Sequence, residues 1–226
     1  MSSPQPDTAP VATLFGVAVD VECTAVLRGV DLTVAAGECL GLVGANGSGK
    51  STLLRVLATL LPPVGGRGQI LGAALGSAGC AAVRPRIVLV GHAAALYPRL
   101  TLRENLQFVA RLTGRAERAA DDALEAVGLG SARDRRAEVC SQGMLRRAEL
   151  ARVLLSEPRL LLLDEAHAGL DAASVGLVEA VVERVRDGGG TSVVVSHDHP
   201  RLRGLADRLV EIADGRVVPV REGAAA

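Results

Sequence analysis

The chain has 226 residues, with Lys+Arg and Asp+Glu both at 25 and hence no formal net charge, a balance that speaks against a nucleic-acid binder, whose domain would carry a basic excess. It is 49% hydrophobic but only 1% aromatic, so Ala, Val and Leu must build the core, and no apolar run is long enough to cross a bilayer as a helix. Cys23, Cys39, Cys80 and Cys140 form no C-x-x-C pair, which fits reduced, partly buried thiols in a cytosolic protein and disfavours a zinc site.

Residues 1–13, beginning Met1-Ser2-Ser3-Pro4, have neither a charged n-region nor an apolar h-region. They are expected to form a disordered lead-in and not a signal peptide. Residues 14–43 read as strands: Val17, Val19 and Val21 alternate, Leu32-Thr33-Val34 runs into an Ala-Ala-Gly turn, and Cys39 to Val43 is a short buried strand. Gly44-Ala45-Asn46-Gly47-Ser48-Gly49-Lys50-Ser51 follows and fits G-x-x-x-x-G-K-[ST], the Walker A pattern. Lys50 is the only lysine in the chain; every other strong cation is arginine. Arginine is a rigid planar fork, whereas a lysine stem can curl over a narrow loop to reach a terminal phosphate. The glycines let backbone N–H groups turn inward as an anion nest, and Ser51 offers a hydroxyl to Mg²⁺. Thr52 to Leu61 has apolar residues at helical spacing, stopped by Pro62-Pro63. Strand, glycine loop and helix together aim a helix N-terminus at phosphate. The expected nucleotide site is therefore Gly44, Ala45, Asn46, Gly47, Ser48, Gly49, Lys50, Ser51 and Thr52.

Pro62 to Gly79 is rich in Gly, with a short strand at Gln69-Ile70-Leu71-Gly72, and Arg86 to Val90 is a further strand. Thr101 to Leu155 reads as mostly helical, with Ala119, Ala120, Ala123, Leu124 and Val127 on one face. Inside it, Cys140-Ser141-Gln142-Gly143-Met144-Leu145-Arg146-Arg147 opens a helix with Ser141 as N-cap. Arg159 to Leu163 and Thr191 to Val195 are apolar runs typical of a parallel sheet buried on both sides. The first ends in Asp164-Glu165. Beside a phosphate loop, Asp164 would hold Mg²⁺ and Glu165 would act as general base or position the attacking water; two solvated acids capping a strand are the alternative. Val210 to Val218 reads as a hairpin about Asp214-Gly215. This alternation of strands and helices around a helix-rich middle predicts an α/β core with an inserted helical subdomain.

Taken in order, the Lys50 loop, the Ser141 segment, the Asp164-Glu165 strand, Ala168-Gly169-Leu170-Asp171 and Val193-Val194-Val195-Ser196-His197-Asp198 resemble a known motif set. They are similar to the Walker A, signature (usually L-S-G-G-Q), Walker B, D-loop and switch motifs of the ATP-binding subunits of ABC transporters, over about residues 14–220. The resemblance implies an α/β P-loop NTPase fold of ABC ATPase type, with a RecA-like core, an N-terminal antiparallel β subdomain and a helical subdomain at about 95–156. Residues 221–226 would be a disordered tail. It implies ATP and Mg²⁺ as cofactors, and a homodimer or pseudo-dimer of ATPase subunits that sandwiches two ATP molecules head to tail. With no span of its own, the chain would dock on a separate integral membrane permease at the cytoplasmic face of the cell membrane. Ser141, Gln142 and Gly143 would cap the partner subunit's nucleotide in trans, His197 would contact the γ-phosphate, and Asp171 would bridge the subunits.

The departures from the family pattern matter. His92 stands at the position of the Q-loop glutamine, a metal-proximal place where histidine can titrate and makes different hydrogen bonds. Cys140 replaces the signature leucine and Met144 its glutamine; Ala166 and His167 follow the acids where proline and threonine are usual. The aromatic that stacks on adenine should fall near Val21, and neither Val19 nor Val21 can stack, while Phe15 is too early. Weaker base discrimination is expected. Gly91-His92 followed by Leu100-Thr101-Leu102-Arg103-Glu104-Asn105-Leu106-Gln107-Phe108 looks like the haem-exporter ATPases of cytochrome c maturation. ATPases of drug, lipid or polysaccharide exporters share the Ser-x-Gly-Met signature and are the alternative. Tyr97 and Phe108 flank the region where a membrane subunit's coupling helix docks in the family, or else fill gaps in the helical core. A nucleotide-sensing module is a further reading, opposed by the presence of Glu165 and His197. ABC-type ATPases of translation and DNA repair usually carry two nucleotide domains or long insertions, which this chain lacks.

Overall fold

The computed structural model describes residues 9–165 and 176–218. Strand β1 (Ala12–Val21) buries Ala12, Leu14, Val17 and Val19. The phase slips where Gly16 (φ 57°) inserts a bulge between Leu14 and Val17. β1 turns through Glu22 and Cys23, both with positive φ, into antiparallel β2 (Thr24–Val34), the two-residue geometry whose twist matches paired strands. β3 (Cys39–Val43) leads to α1 (Lys50–Leu57). The chain returns in β4 (Gly65–Ile70) and β5 (Ala73–Ala74), closing an antiparallel sheet of order β2-β1-β4-β5.

Two local expectations are corrected here. Leu71 and Gly72 do not continue a strand; they are its hairpin turn, with φ of 49° and 81°. The helix after the phosphate loop ends at Leu57 and not at Pro62, because Thr59 (φ 59°) turns left-handed. A distant arginine holds that turn: Arg84 donates from Nη2 to Thr59 O (2.9 Å) and from Nε to Thr59 Oγ1 (3.1 Å).

A short helix α2 (Cys80–Val83) precedes β6 (Ile87–Val90). Helices α3 (Leu102–Leu112), α4 (Ala119–Ala126) and α5 (Gln142–Ser156) follow and pack on one another. The start of α3 is fixed by a capping box in which Thr101 and Glu104 satisfy each other's amides. Buried Asn105 then staples the preceding loop, accepting from Tyr97 N and donating to Tyr97 O, Leu100 O and Thr101 O. Tyr97 and Phe108 do not fill the helical core. They meet edge to face with ring centroids 5.4 Å apart, on the surface, at 56% and 40% exposure, and Leu112 is exposed too.

β7 (Leu160–Leu163), α6 (Gly176–Asp187), β8 (Thr191–Val195), α7 (His199–Leu205), β9 (Arg208–Ala213) and β10 (Arg216–Val218) complete the fold. The β9–β10 turn at Asp214 (φ 48°) and Gly215 (φ 74°) is the expected hairpin. The second sheet has the order β10-β9-β3-β8-β7-β6; only β10 runs antiparallel to its neighbour. β3, β7 and β8 are buried at every residue, as a parallel sheet covered on both faces requires. Their alternate residues feed two separate cores. Leu161, Leu163 and Val194 pack with the helices, while Leu160, Leu162, Val193 and Val195 pack with α1 and the antiparallel sheet.

Gly41 in the middle of β3 lets α7 and β9 close on the sheet. A Cβ there would sit 2.3 Å from Leu209 Cδ2 and 3.1 Å from Ala206 Cβ and Leu202 Cγ. Gly41→Val is expected to destabilise the fold by about 1–3 kcal/mol through overpacking, lowering Tm by roughly 3–10 °C in a thermal melt; an unchanged Tm would contradict this packing.

Candidate functional site

The strand order brings three loops together. β8 lies between β3 and β7, and all three are parallel, so their carboxyl ends open on one side. That is where open α/β sheets bind ligands. The glycine loop leaves β3, His197 follows β8 by two residues, and Asp164 and Glu165 leave β7.

The loop's path depends on glycine at two positions in particular. Gly44 has φ 144°, and a Cβ there would lie 2.3 Å from Ile212 O and 2.9 Å from Ser48 Oγ. Gly49 (φ 111°) would thrust a Cβ to 2.8 Å from Leu27 Cδ2. Gly49 is also the N-cap of α1 and supplies no side-chain acceptor, so the cap leaves the positive end of the helix to an outside anion. Lys50 is only 8% exposed; its Nζ donates to Gly44 O and Ala45 O, each at 2.8 Å. The stem thus lies back across the loop, with one ammonium hydrogen left for a further acceptor. Ser48 Oγ is buried with no partner among the described residues, a polar atom waiting for something the loop itself does not provide.

Beside the loop, a cleft of about 390 Å³ is walled by Thr24 to Val26, Arg28, the residues 45–48 and the β9–β10 turn. No aromatic side chain lines it. Phe15, too early in the sequence to stack there, lies instead under the Arg67 guanidinium, 5.6 Å from its ring centroid.

Asp164 continues the sheet by donating its N–H to Val90 O (2.9 Å). Glu165 then adopts φ 55°, a left-handed conformation that costs a non-glycine residue on the order of 1–3 kcal/mol. This turns its carboxylate toward β8, where Oε1 lies 2.7 Å from His197 Nε2. Glu165 is therefore the acceptor and Nε2–H the donor. His92 joins this neighbourhood: it lines a second cleft, of about 200 Å³, with Gln142, Arg146, Glu149, Asp164 and Glu165.

Ser141 caps α5 as expected, accepting from Met144 N at 3.2 Å. Ser141 and Gly143 line neither of these two clefts. Asp171, with Ala166, His167 and the rest of residues 166–175, lies outside the described residues.

The residues that sequence reasoning missed are on α5. Arg146, Glu149 and Arg152 are spaced by three on a helix whose other inward residues are apolar. Glu149 is 1% exposed and holds Arg152 through two hydrogen bonds, Nε to Oε1 at 3.4 Å and Nη2 to Oε2 at 3.0 Å. Arg146 is 8% exposed, and burial presses its pKa down from the usual guanidinium range, partly offset by Glu149, Asp164 and Glu165. The available signal was this i, i+3, i+6 row of charges among buried Ala, Leu and Val. Of the cysteines, Cys39 is buried in β3 with its thiol pushed up to about 12, chiefly by desolvation, and is chemically inert.

A family model described as "ABC transporter" matches residues 27–168. Among curated relatives, the lipoprotein-releasing system ATP-binding protein LolD of Anaeromyxobacter dehalogenans is 40% identical over 229 residues, 95% of this chain and 95% of its own length. The cytochrome c biogenesis ATP-binding export protein CcmA of Rhodospirillum rubrum is 40% identical over 205 residues, 88% of each chain. The aliphatic sulfonates import ATP-binding protein SsuB 2 of Xanthomonas axonopodis pv. citri is also 40% identical, over 193 residues that cover 85% of this chain and 64% of its own. Among solved structures, a dimeric ATP-binding cassette in a post-hydrolysis state, bound to ADP and Pi, superposes with a TM-score of 0.85 at 24% identity, covering 93% of this chain and 99% of that one. The fold is thus the α/β P-loop NTPase fold of ABC ATPase type, and the chain belongs to the ABC transporter family as an ATP-binding, ATP-hydrolysing subunit.

Proposed function

We propose that the chain is the motor of an exporter, working as a pair of ATPase subunits held at the cytoplasmic face of the membrane by a separate permease. The observation that carries this reading is the Glu165–His197 contact of 2.7 Å at the strand ends that flank the Lys50 loop. Among the described residues no helix is long and apolar enough to cross a membrane, and in this reading a separate permease provides the translocation path. The exposed Tyr97–Phe108 pair with Leu112 is the surface offered to that partner's coupling helix.

In this reading Gly44 to Thr52 wrap the ATP phosphates and Lys50 turns its free N–H to the γ-phosphate. Ser51 and Asp164 provide hydroxyl and carboxylate oxygens, the hard donors that Mg²⁺ prefers; His92, a softer imidazole, shares the cleft with Asp164. Bound Mg²⁺ would neutralise charge on the phosphate oxygens. Glu165 takes a proton from water as its oxygen attacks the γ-phosphorus, and ADP carries away the electrons of the broken P–O bond. The His197 N–H fixes the orientation of that carboxylate before nucleotide arrives and turns to the γ-phosphate once it is bound. Ser141, Gln142 and Gly143 close over the second subunit's nucleotide, with Asp171 bridging the pair.

Haem export for cytochrome c biogenesis is supported by Gly91-His92, by the Thr101 to Phe108 segment and by the CcmA relative. Relatives at the same identity are named for lipoprotein release and for sulfonate import. The Thr101–Glu104 box and Asn105 staple also explain most of that segment as scaffold. Service as the ATPase of a drug, lipid or polysaccharide exporter is the alternative.

Glu165→Gln is expected to lower ATP turnover by about 10²-fold or more while ATP still binds, measured as phosphate release beside a binding titration; undiminished turnover would remove Glu165 from the chemistry. Without a stacking aromatic, worth roughly 1–3 kcal/mol per base, ATP and GTP are expected to bind within about fivefold of each other. A titration showing a preference well beyond tenfold would contradict that.

A further inference from the structure

We propose that Arg146 is a positioning residue for Glu165: its guanidinium grips the backbone on either side of the site and fixes the direction of the carboxylate. The proposal rests on the reading of Glu165 as the base.

Among the described residues β6 is the edge strand of its sheet and pairs only with β7. Val90 O is spent inward, on Asp164 N. The neighbouring carbonyls, Leu89 O and Gly91 O, are met by arginines of α5: Arg152 Nη2 reaches Leu89 O at 3.0 Å and Arg146 Nη1 reaches Gly91 O at 3.0 Å. Buried edge carbonyls need such donors. Up to this point the two arginines have the same task.

They then diverge. Arg152 is neutralised by Glu149. Arg146 turns its Nη2 to the end of β7 and donates to Glu165 O at 2.7 Å and to Asp164 O at 3.2 Å. Its Nε is buried with no partner among the described residues. Desolvating a guanidinium to leave one N–H unmet is costly where an uncharged side chain could pack, so the return must come from the carbonyls it holds. The carbonyl of Glu165 belongs to a non-glycine residue held in the left-handed region. Rotating that peptide back to an ordinary conformation would swing the Glu165 carboxylate off His197. One planar fork therefore ties together the turn that carries His92, the strand end that carries both acids, and the helix capped by Ser141. A shift of α5 is transmitted to Glu165 through it. Arginine suits the task because its donors lie in a fixed plane.

The test compares the full-length chain with Arg146→Met, which keeps bulk and removes every donor, Arg146→Gln, which keeps an amide donor, Arg152→Gln and Glu165→Gln. Steady-state ATP hydrolysis gives kcat and KM, a fluorescent ATP analogue gives nucleotide affinity, and a thermal melt gives Tm. Arg146→Met is expected to lose about tenfold to a hundredfold in kcat, as misplaced catalytic groups do, with KM and nucleotide affinity within about threefold of wild type. Arg146→Gln is expected to recover part of kcat. Arg152→Gln is expected to lower Tm and leave kcat within about twofold, since it loses only edge support. Wild-type kcat in Arg146→Met, a matching rise in KM, or an equal kcat loss in Arg152→Gln would each overturn the proposal. If Arg146→Met does not fold, Arg146→Gln decides: reduced kcat at unchanged KM supports it, wild-type kcat overturns it. Undiminished turnover in Glu165→Gln would sink the base assignment and this proposal with it. An inert Glu165→Gln beside a fully active Arg146→Met would sink the positioning role alone.

Discussion

A parallel sheet covered on both faces has only its strand ends left to offer a ligand, and that constraint organises this molecule. β3, β8 and β7 bury every residue they have, and their hydroxyl side chains, Thr191 and Ser192, lie at the amino end of β8, away from the site. Chemistry is pushed to their carboxyl ends, where the sheet order sets His197 between the Lys50 loop and Glu165. The apolar monotony of Leu160 to Leu163 and Val193 to Val195 is the condition for the site and not merely for stability. Each strand must be inert on both faces if the two cores are to lock its register, and a one-residue slip would exchange the faces of all of them.

Against that rigid frame the ends are held under tension. Glu165 sits in a left-handed conformation with its carboxylate on His197, and Lys50 is folded onto two loop carbonyls. The surrounding residues hold both arrangements in place. For the loop that presents Lys50 the neighbours are Ile212 and Ser48 against Gly44, and Leu27 against Gly49. For Glu165 they are the β7 ladder on one side and the Arg146 fork on the other. Strained backbone of this kind persists only where surroundings over-determine it. Here the surroundings come from α5, whose N-cap is Ser141, so Arg146 links the geometry of Glu165 to the helix that Ser141 caps.

What could be read from the sequence follows the range of the interaction behind each feature. The glycine loop, the apolar strands and the Asp214-Gly215 hairpin announce themselves because a few adjacent residues determine them. The Glu22-Cys23 and Leu71-Gly72 turns have the same left-handed geometry, but three of those four residues are poor turn formers, and strand pairing overrides local preference. The end of α1 was misplaced because a residue 25 positions away, Arg84, holds Thr59. Sequence left Tyr97 and Phe108 open between a docking surface and gap-fillers of the helical core; the structure sets them edge to face on the surface. The segment that suggested a haem exporter turned out to consist largely of a helix cap and a loop staple, which many cargoes could share. The clamp formed by Arg146 was invisible because its acceptors are carbonyls, which every residue has.

We propose that Lys50 and Ser141 are halves of one site completed only when two ATPase subunits, most simply two copies of this chain, close over ATP. Sedimentation of the hydrolysis-deficient Glu165→Gln chain tests it most directly. The chain is expected to sediment as a dimer with saturating MgATP and as a monomer with MgADP; a monomer in both conditions, with ATP demonstrably bound, would contradict it.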